Sequence, residues 1–505
     1  MKNILGSASI LAILAAAPAF AQTNESTVTQ TGTDGRATVE QVGSTAGSSV
    51  LQAGAGQVAR VNQGGSGNQS TVDQDDGDGR DHLAVVRQRG EGNEQSILQR
   101  GVGQNANVLQ SGAGNKSTVD QAGTENEVSG PTTAHGVGAT VRGVIQSGDD
   151  NQSTITQRGG EQEAYVEQDG DDNTSVIDQV GGQLNDATVI QGGDDNSSSI
   201  EQNGVDENAI VTQSGDGNGS TVRQGGARGQ DHDVEVTQSG NDNSSDIAQR
   251  GDNQDATVVQ SGNRNSSTVD QGDARGEDHD VDVTQSGDRN ESLVTQRGDN
   301  QDATVIQSGD RNSSTVDQGD DAGAEHFVRV EQVGDLNEAL VKQQGDSQFA
   351  SIVQGGTFSG GDRNFAMIDQ GGDNGNDHSA EIIQLGDNND GSIRQRGGQQ
   401  NASVFQGGQR NSANIDQSGN SGEEFSASID QSGNLNIGDI LQRGPSQTAS
   451  IDQSGNRNTA MIDQSGGGHS AEVNQFSNDN LSTITQSGNG NTATVTQGTC
   501  SGPFC

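Results

Sequence analysis

The sequence predicts an all-β fold, a stacked β-solenoid of about 20 two-strand coils. Three observations lead to this prediction. One phrase recurs about 40 times, mostly eleven residues apart. Within the phrase, apolar or small residues alternate with polar ones, as is typical of a β-strand with one buried face. Only 27% of the 505 residues are hydrophobic and 2% aromatic, which is too little for thick globular cores but enough for a thin repeated one.

The chain opens with a segment, residues 1–21, that is typical of a secretory signal peptide. Lys2 is its positive charge, residues 10–17 are its apolar run, and Ala19-Phe20-Ala21 is its cleavage site. The apolar run is shorter than the ~20 apolar residues that a membrane span requires. The sequence therefore predicts export of a mature chain that begins at Gln22.

Residues 22–497 carry the repeat, and each phrase closes with a Gln that we number position 0. Asn usually lies at position −6, Ala or Ser at −4, and Val or Ile at −2, so these side chains and the Gln share one face of the strand. An x-Gly-x-x corner follows, because Gly adopts the positive φ that a sharp turn needs. We expect inward residues to stack about 4.8 Å apart in ladders whose amides satisfy one another. The predicted ladder residues are Asn68, Val72, Gln74, Asn151, Ile155, Gln157, Asn265, Val269, Gln271, Gln296, Gly298 and Gln307.

A single coil is not expected to fold alone. Ordering eleven residues costs roughly 16 kcal/mol, whereas one buried Val or Ile and one Ala contribute only a few. Stability therefore has to come from contacts between neighbouring coils. The spacing lengthens to fourteen at about every fourth strand, and irregular corners around Pro131 and near Phe358 are expected to be bulged loops.

The segment from Asn290 to Gln307, with Gln296, Gly298 and Ala303 at matching positions, resembles the curlin repeat of bacterial curli subunits. This resemblance covers almost the whole mature chain. It implies a secreted structural subunit that travels through the periplasm and polymerises into pilus-like extracellular functional amyloid, with roles in the biofilm matrix and cell adhesion. The partners it implies are further copies of the chain, related curlin subunits and an outer-membrane secretion pore.

Six histidines recur at position −6 and raise the question of a metal site or a pH switch. They are His82, His232, His279, His326, His378 and His469. Because they fall on alternate coils, about 9.6 Å apart, two rings cannot share a metal bound at ~2 Å per ligand. We therefore expect a structural role, in which His replaces Asn. No metal site is predicted.

The long corners are rich in Asp, as in Asp273 to Asp280 and at Asp320-Asp321. Their spacing matches no calcium loop, so diffuse attraction of divalent cations is expected. The tail, residues 498–505, contains Cys500 and Cys505, which could close a disulfide in an oxidising compartment. Intermolecular pairing and free thiols are the alternatives.

Charge and motifs exclude several classes of function. The formal net charge is −45, and the chain has no basic stripe and few aromatic residues, which argues against nucleic-acid binding. No catalytic motif and no cofactor motif stands out from the repeat, so an enzyme is not expected. The alternative to a fibre subunit is a monomeric surface-, ice- or calcium-binding β-solenoid or adhesin, with outward pairs such as Thr154/Thr156 and Thr483/Thr485.

Overall fold

A computed structural model describes residues 23–128, 143–226, 230–272, 277–319, 324–355, 362–371, 377–419 and 424–498. Across these ranges the protein is all-β. The predicted signal peptide, Pro131, Phe358 and the two cysteines lie outside the described residues, as do Asp273, Asp320 and Asp321.

The chain divides into two compact units, residues 1–242 (unit 1) and 243–505 (unit 2). The strands of unit 1 are β1 (Glu25–Gln30), β2 (Arg36–Ser44), β3 (Gly47–Ala55), β4 (Val58–Ser66), β5 (Gln69–Arg80), β6 (Leu83–Glu91), β7 (Glu94–Val102), β8 (Asn105–Ala113), β9 (Lys116–Thr124), β10 (Glu127–Val128), β11 (Val144–Ser147), β12 (Gln152–Gly160), β13 (Glu163–Asp169), β14 (Thr174–Gln183), β15 (Asp186–Gly192), β16 (Ser197–Gln202), β17 (Asn208–Ser214), β18 (Gly219–Gln224) and β19 (Gln230–Ser239).

The strands of unit 2 are β20 (Ser244–Gln249), β21 (Asp252–Ser261), β22 (Ser266–Gln271), β23 (Glu277–Ser286), β24 (Glu291–Gln296), β25 (Asp299–Ser308), β26 (Ser313–Gln318), β27 (Ala324–Val333), β28 (Glu338–Gln343), β29 (Phe349–Gln354), β30 (Phe365–Gln370), β31 (Ser379–Gln384), β32 (Asp390–Arg396), β33 (Gln400–Gln406), β34 (Ser412–Ser418), β35 (Phe425–Gln431), β36 (Ile437–Arg443), β37 (Gln447–Gln453), β38 (Thr459–Gly467), β39 (Ser470–Gln475), β40 (Leu481–Asn489) and β41 (Thr492–Gln497).

Within each unit the strands form two parallel stacks, and one strand from each stack makes a coil. Stack A contains β1, β3, β5, β7, β9, β12, β14, β16 and β18 in unit 1, and the even-numbered strands β20 to β40 in unit 2. Stack B contains β2, β4, β6, β8, β10 with β11, β13, β15, β17 and β19 in unit 1, and the odd-numbered strands β21 to β41 in unit 2. This arrangement confirms the predicted fold class.

The register keeps like positions above one another. Val50 pairs with Val72, and Val269 pairs with Val294, so each −2 residue faces the −2 residue of the next coil. Positions −4, −2 and 0 are buried and the residues between them are more exposed, as in Ser266–Gln271. The core of each unit is therefore a few narrow columns of apolar and amide side chains.

Many corners contain two residues in the left-handed region. The first is the Gly at position +2, such as Gly287 with φ 98°, where a Cβ would collide with the carbonyl oxygen of Gly309. The second lies at position −7, directly before the −6 residue, and is often not Gly: Arg289 there has φ 61°. The x-Gly-x-x pattern predicted the first position and gave no sign of the second.

The irregularity expected around Pro131 differs from the prediction of a bulged corner. β10 and β11 both pair with β8 and with β13, so together they occupy one strand position in stack B. β10 ends at Val128 and β11 begins at Val144. Because Val128 and Val144 keep their register on both sides, the insertion does not interrupt the stack.

Candidate functional site

The interior of both units is organised by ladders of Gln side chains that all point the same way along the stack. In unit 1 the Nε2 of Gln52 donates to the Oε1 of Gln74 at 2.8 Å, and Gln74 donates to Gln99 at 2.7 Å. A second bond from Gln74 Nε2 reaches the carbonyl oxygen of Val58 at 3.3 Å. Since both amide hydrogens and the oxygen are used, a buried polar side chain is accommodated without loss of hydrogen bonds.

The other predicted Gln residues take part in the same ladders. Gln157 donates to Gln179 at 2.9 Å, and Gln271 donates to Gln296 at 3.2 Å. Gln296 donates in turn to Gln318 at 3.0 Å. In stack B, Gln307 donates to Gln332 at 2.8 Å. Every bond runs from Nε2 in one coil to Oε1 in the next coil along the chain.

Stack A carries a second ladder, made by Asn at position −6. The backbone N–H of Asn93 donates to Oδ1 of Asn68 at 3.0 Å. The same bonds are made from Asn151 to Asn115 and from Asn265 to Asn243, each at 3.0 Å. The Asn Nδ2 also holds a corner, since Asn265 Nδ2 donates to the carbonyl oxygen of Gly287 at 2.9 Å.

The predicted apolar and glycine ladder residues lie where the repeat positions require. Val72 and Ile155 are fully buried, and Val269 is 1% exposed. Their partners along the stack are Ile97, Ile177 and Val294. Gly298 lies in a corner with φ 95°.

The residues at position −6 of stack B correct the prediction that His replaces Asn. Gln, not Asn, is the commonest residue there, and it alternates with His from Gln254 to Gln400, after which Phe425 interrupts the alternation. The column reads Gln254, His279, Gln301, His326, Gln348, His378 and Gln400. The eleven-residue repeat does not reveal this difference, because it describes both strands of a coil by one pattern.

Two of the imidazoles, those of His82 and His469, make bonds equivalent to those of Asn, which supports a structural role. Nδ1 of His469 accepts the backbone N–H of Asn491 at 3.2 Å, and its Nε2 lies 3.0 Å from the carbonyl oxygen of Ser465. His82 Nδ1 accepts the N–H of Gln104 at 3.3 Å. The neutral Nε2–H tautomer satisfies both contacts of His469. For His378, burial and the nearby Arg396 lower the pKa to about 4.

Glu207 is a functional candidate that the sequence reasoning missed. It occupies position −6 of stack B in unit 1, and it is the only carboxylate at that position among the described strands. Glu207 is 1% exposed, and its backbone N–H donates to Asn185 Oδ1 at 3.2 Å. Burial raises the pKa of Glu207 to about 7, although the backbone of Gly204 and Asn203 partly opposes the shift. The signal that could have revealed this residue in the sequence is a carboxylate at position −6, where amide side chains are common.

The outer faces carry ion pairs and like-charge pairs between coils. Arg297 contacts Asp317 at 3.2 Å, an exposed pair that contributes little stability. Asp430 and Asp452 are direct neighbours in the stack B register. Burial and the charge of Asp452 raise the pKa of the Asp430 carboxyl.

The outward Thr pairs do not extend into a regular array. Thr154 faces Val176 in the next coil, and Thr156 faces Asp178. Thr483 and Thr485 lie beside Met461 and Asp463. An ice-binding face requires Thr at these positions in many successive coils, so this register disfavours that alternative.

Within the described ranges, no group of three or more His, Cys, Asp or Glu is placed to hold a metal ion. Those same residues include no helix of the length and apolarity needed to cross a membrane.

The curlin-associated repeat model matches eight segments, residues 148–181, 240–272, 276–309, 298–334, 323–356, 386–419, 444–476 and 471–498. The chain is a curlin-repeat protein. No curated protein matches it. The matched curlin repeat 276–309 contains β23, β24 and β25, which is one coil and half of the next. This segment therefore includes one complete step of the ladder, from Gln285 to Gln307.

Proposed function

We propose that this curlin-repeat protein is a structural subunit of extracellular curli-type fibres and that it adds end to end. The observation that carries the proposal is the single direction of the Gln ladders. Gln475 Nε2 donates to Oε1 of Gln497, and Gln30 Nε2 donates to Oε1 of Gln52. The first coil therefore presents Gln acceptors on its outer side, and the last coil presents Gln donors.

The strands of the end coils support the same joint. In the described part of the chain, β1 pairs only with β3, and β41 pairs only with β39. Val28 and Val495 occupy inward positions but remain partly exposed, whereas interior −2 residues are fully buried. Unpaired strand edges over a partly open apolar column are a template for another chain.

The ladder direction predicts the register of the joint. Gln486 would donate to Gln30 of the next copy, and Gln497 would donate to Gln41, in the same way as within the chain. Asn480 Oδ1 would accept the next ladder N–H. Growth with this register is head to tail, a heterologous contact that does not close on itself.

A pair of variants in β2 tests the proposal. Val39→Asp places a carboxylate on the inward side of the first coil, and Thr38→Asp places one on the outward side of the same strand, beside Arg60. We expect the first variant to block seeded growth and the second to grow like the wild type, with both showing β-rich circular dichroism. Equal growth of the two variants would refute the joint, and a wild type without a 4.8 Å cross-β reflection would refute the fibre.

The remaining features of the proposal rest on the family and the sequence. They are cleavage after residue 21, export through the periplasm and an outer-membrane pore, a role in the biofilm matrix and adhesion, a solenoid over 22–497, and a Cys500–Cys505 disulfide in the tail. Mass spectrometry of the exported chain tests the first and the last of these, through an N-terminus at Gln22 and the loss of two thiol hydrogens.

A further inference from the structure

The corners that precede the stack A strands of unit 2 often carry an arginine. Position −7 of stack A is the second left-handed residue of the corner, and in six coils of unit 2 it is an exposed Arg with φ between 56° and 61°. These residues are Arg264, Arg289, Arg311, Arg363, Arg410 and Arg457. We call them the arginine edge. They are almost a quarter of the 26 basic residues in a chain of net charge −45.

The backbone at this position does not favour arginine. A left-handed conformation is least costly for Gly and for Asn or Asp, and more costly for a long side chain. Unit 1 has the favoured residues at the same repeat position, namely Asp150, Asp172, Asp195, Gly217 and Asp242. Because the same corner folds without arginine in unit 1, the turn itself does not explain the arginine edge.

Contacts inside the chain do not explain it either. Arg457 pairs with Asp479, with Nε 2.6 Å from Oδ1. Within the described ranges, however, no ion pair holds Arg289, Arg311, Arg363 or Arg410. These four guanidinium groups are exposed and available to a partner.

The aspartates next to the arginines form a hydrogen-bonded ladder of their own. Asp288 N–H donates to Oδ1 of Asp310 at 2.9 Å, so these carboxylates form a ladder along the corner. The same ladder exists in unit 1, where Asp171 N–H donates to Asp194 Oδ1 at 2.9 Å without an arginine beside it. The Arg side chain is longer than that of Asp, so its charge can reach further from the corner.

The matching corners of unit 1, within the described residues, carry carboxylates and no arginine at position −7. We call the exposed residues Asp149, Asp150, Asp171, Asp172, Asp194, Asp195 and Asp216 the acidic edge. Desolvation and the carboxylates of Asp195 and Asp150 raise the pKa of Asp172, which shows that this edge concentrates like charges. The acidic edge occupies four successive coils, whereas the arginine edge occupies three successive coils at Arg264, Arg289 and Arg311 and then every second coil. Because the rise per coil is the same, arginines can face carboxylates on three successive coils and then on alternate ones.

We propose that the arginine edge of one copy binds the acidic edge of a second copy, which joins chains side by side. Each guanidinium can hold a carboxylate through two parallel N–H···O bonds. The contact adds a lateral direction to the end-to-end growth proposed above and does not depend on it, because soluble chains carry the same edges.

The experiment removes four arginines and keeps the turn. The edge variant is R289N/R311N/R363N/R410N, since Asn tolerates the left-handed conformation. The control variant is R36Q/R60Q/R87Q/R100Q, which removes the same charge from exposed arginines elsewhere. Sedimentation velocity measures association of soluble chains, and electron microscopy measures filament width, each at 10 mM and 300 mM salt.

We expect the wild type and the control to associate laterally at 10 mM salt and less at 300 mM, because the Debye length falls from ~30 Å to ~6 Å. The edge variant should self-associate at least tenfold more weakly and give single filaments. A chain with the four arginines changed to Asp should associate with a D150R/D172R/D195R chain but not with itself. Lateral association of the edge variant equal to that of the control would overturn the proposal.

The outcomes separate this proposal from the proposed function. If no chain forms fibres, the fibre proposal fails, and sedimentation of soluble chains still decides the lateral contact. If the wild type binds poly-glutamate but not a second copy, the partner is another polyanion and the proposal of self-association is wrong.

Discussion

Glu207 provides the sharpest single-residue test of the interior columns. It is the carboxylate in a column that elsewhere holds mostly Gln, Asn and His, with Asn185 one coil before it and His232 one coil after it. Glu207→Gln keeps the shape of the side chain and removes its charge. The variant places there the commonest residue of the column.

The size of the effect follows from the pKa of Glu207. The fold raises this pKa from 4.5 to about 7, so the folded chain favours the neutral carboxyl. The stability contributed by the neutral form is fully present below pH 4.5 and is lost as the pH rises through 7. At 1.36 kcal/mol per unit of pKa, the ionised group destabilises its coil by about 3 kcal/mol at pH 8 and by less than ~1 kcal/mol at pH 5. Glu207→Gln removes this penalty.

Hydrogen exchange is the suitable assay, because a repeat array opens locally and has no single unfolding free energy. Amides of Asn208–Ser214 should exchange up to about 100-fold more slowly in the variant at pH 8 and nearly equally at pH 5, after correction for intrinsic rates. The matched control is Glu235→Gln on the outer face of β19, which should change little at either pH. Equal protection by both variants, or protection that does not depend on pH, would refute the reasoning.

Three further predictions address the core, the histidines and the outer charges. Val258→Asp should destabilise its coil by about 3 kcal/mol or more because it buries an unpaired carboxylate. Thr257→Asp, opposite Asp282, should cost no more than about 1 kcal/mol; equal loss of hydrogen-exchange protection in β21 would mean that the inward assignment is wrong. The fold favours the neutral imidazole of His378, so the contribution of this group to stability is present above pH 6.5 and is lost as the pH falls towards 4. His378→Gln should therefore flatten the pH dependence of hydrogen exchange in β31. An unchanged pH profile would contradict this prediction. Because Asp430 and Asp452 repel each other along stack B, seeded axial growth should be faster at 300 mM than at 10 mM salt; equal rates would mean that the acidic faces do not oppose growth.

The alternation of inward and outward residues could be predicted from sequence because it is a local property of a strand. Asn68, Val72 and Gln74 are buried, and Thr71 between them is exposed, as a period of two requires. The stacking of like positions followed from the constant spacing, since a fixed period brings the same position of each coil into register.

Other features depend on how the two strands of a coil differ. An eleven-residue phrase treats the strands as equal, so it could not show that His279 alternates with Gln301 while Asn265 continues an Asn ladder. The left-handed conformation of Arg289 was equally hidden, because Arg gives no turn signal. Glu207 was visible as a carboxylate at −6, but its burial became clear only with the coils in place.

Acidification affects the carboxylates and His378 in opposite ways, and the balance between them predicts the pH at which chains add to a fibre fastest. Acidification neutralises Asp430 and Asp452, whose pKa values burial raises, and it favours the neutral form of Glu207, so both changes aid stacking. Acidification also begins to charge the buried imidazole of His378, which opposes stacking as the pH falls from 6.5 towards 4. Seeded growth should therefore be fastest at a mildly acidic pH and slow again near pH 4, with His378→Gln moving the optimum lower. Growth that accelerated steadily down to pH 3 in the wild type would mean that His378 does not limit assembly.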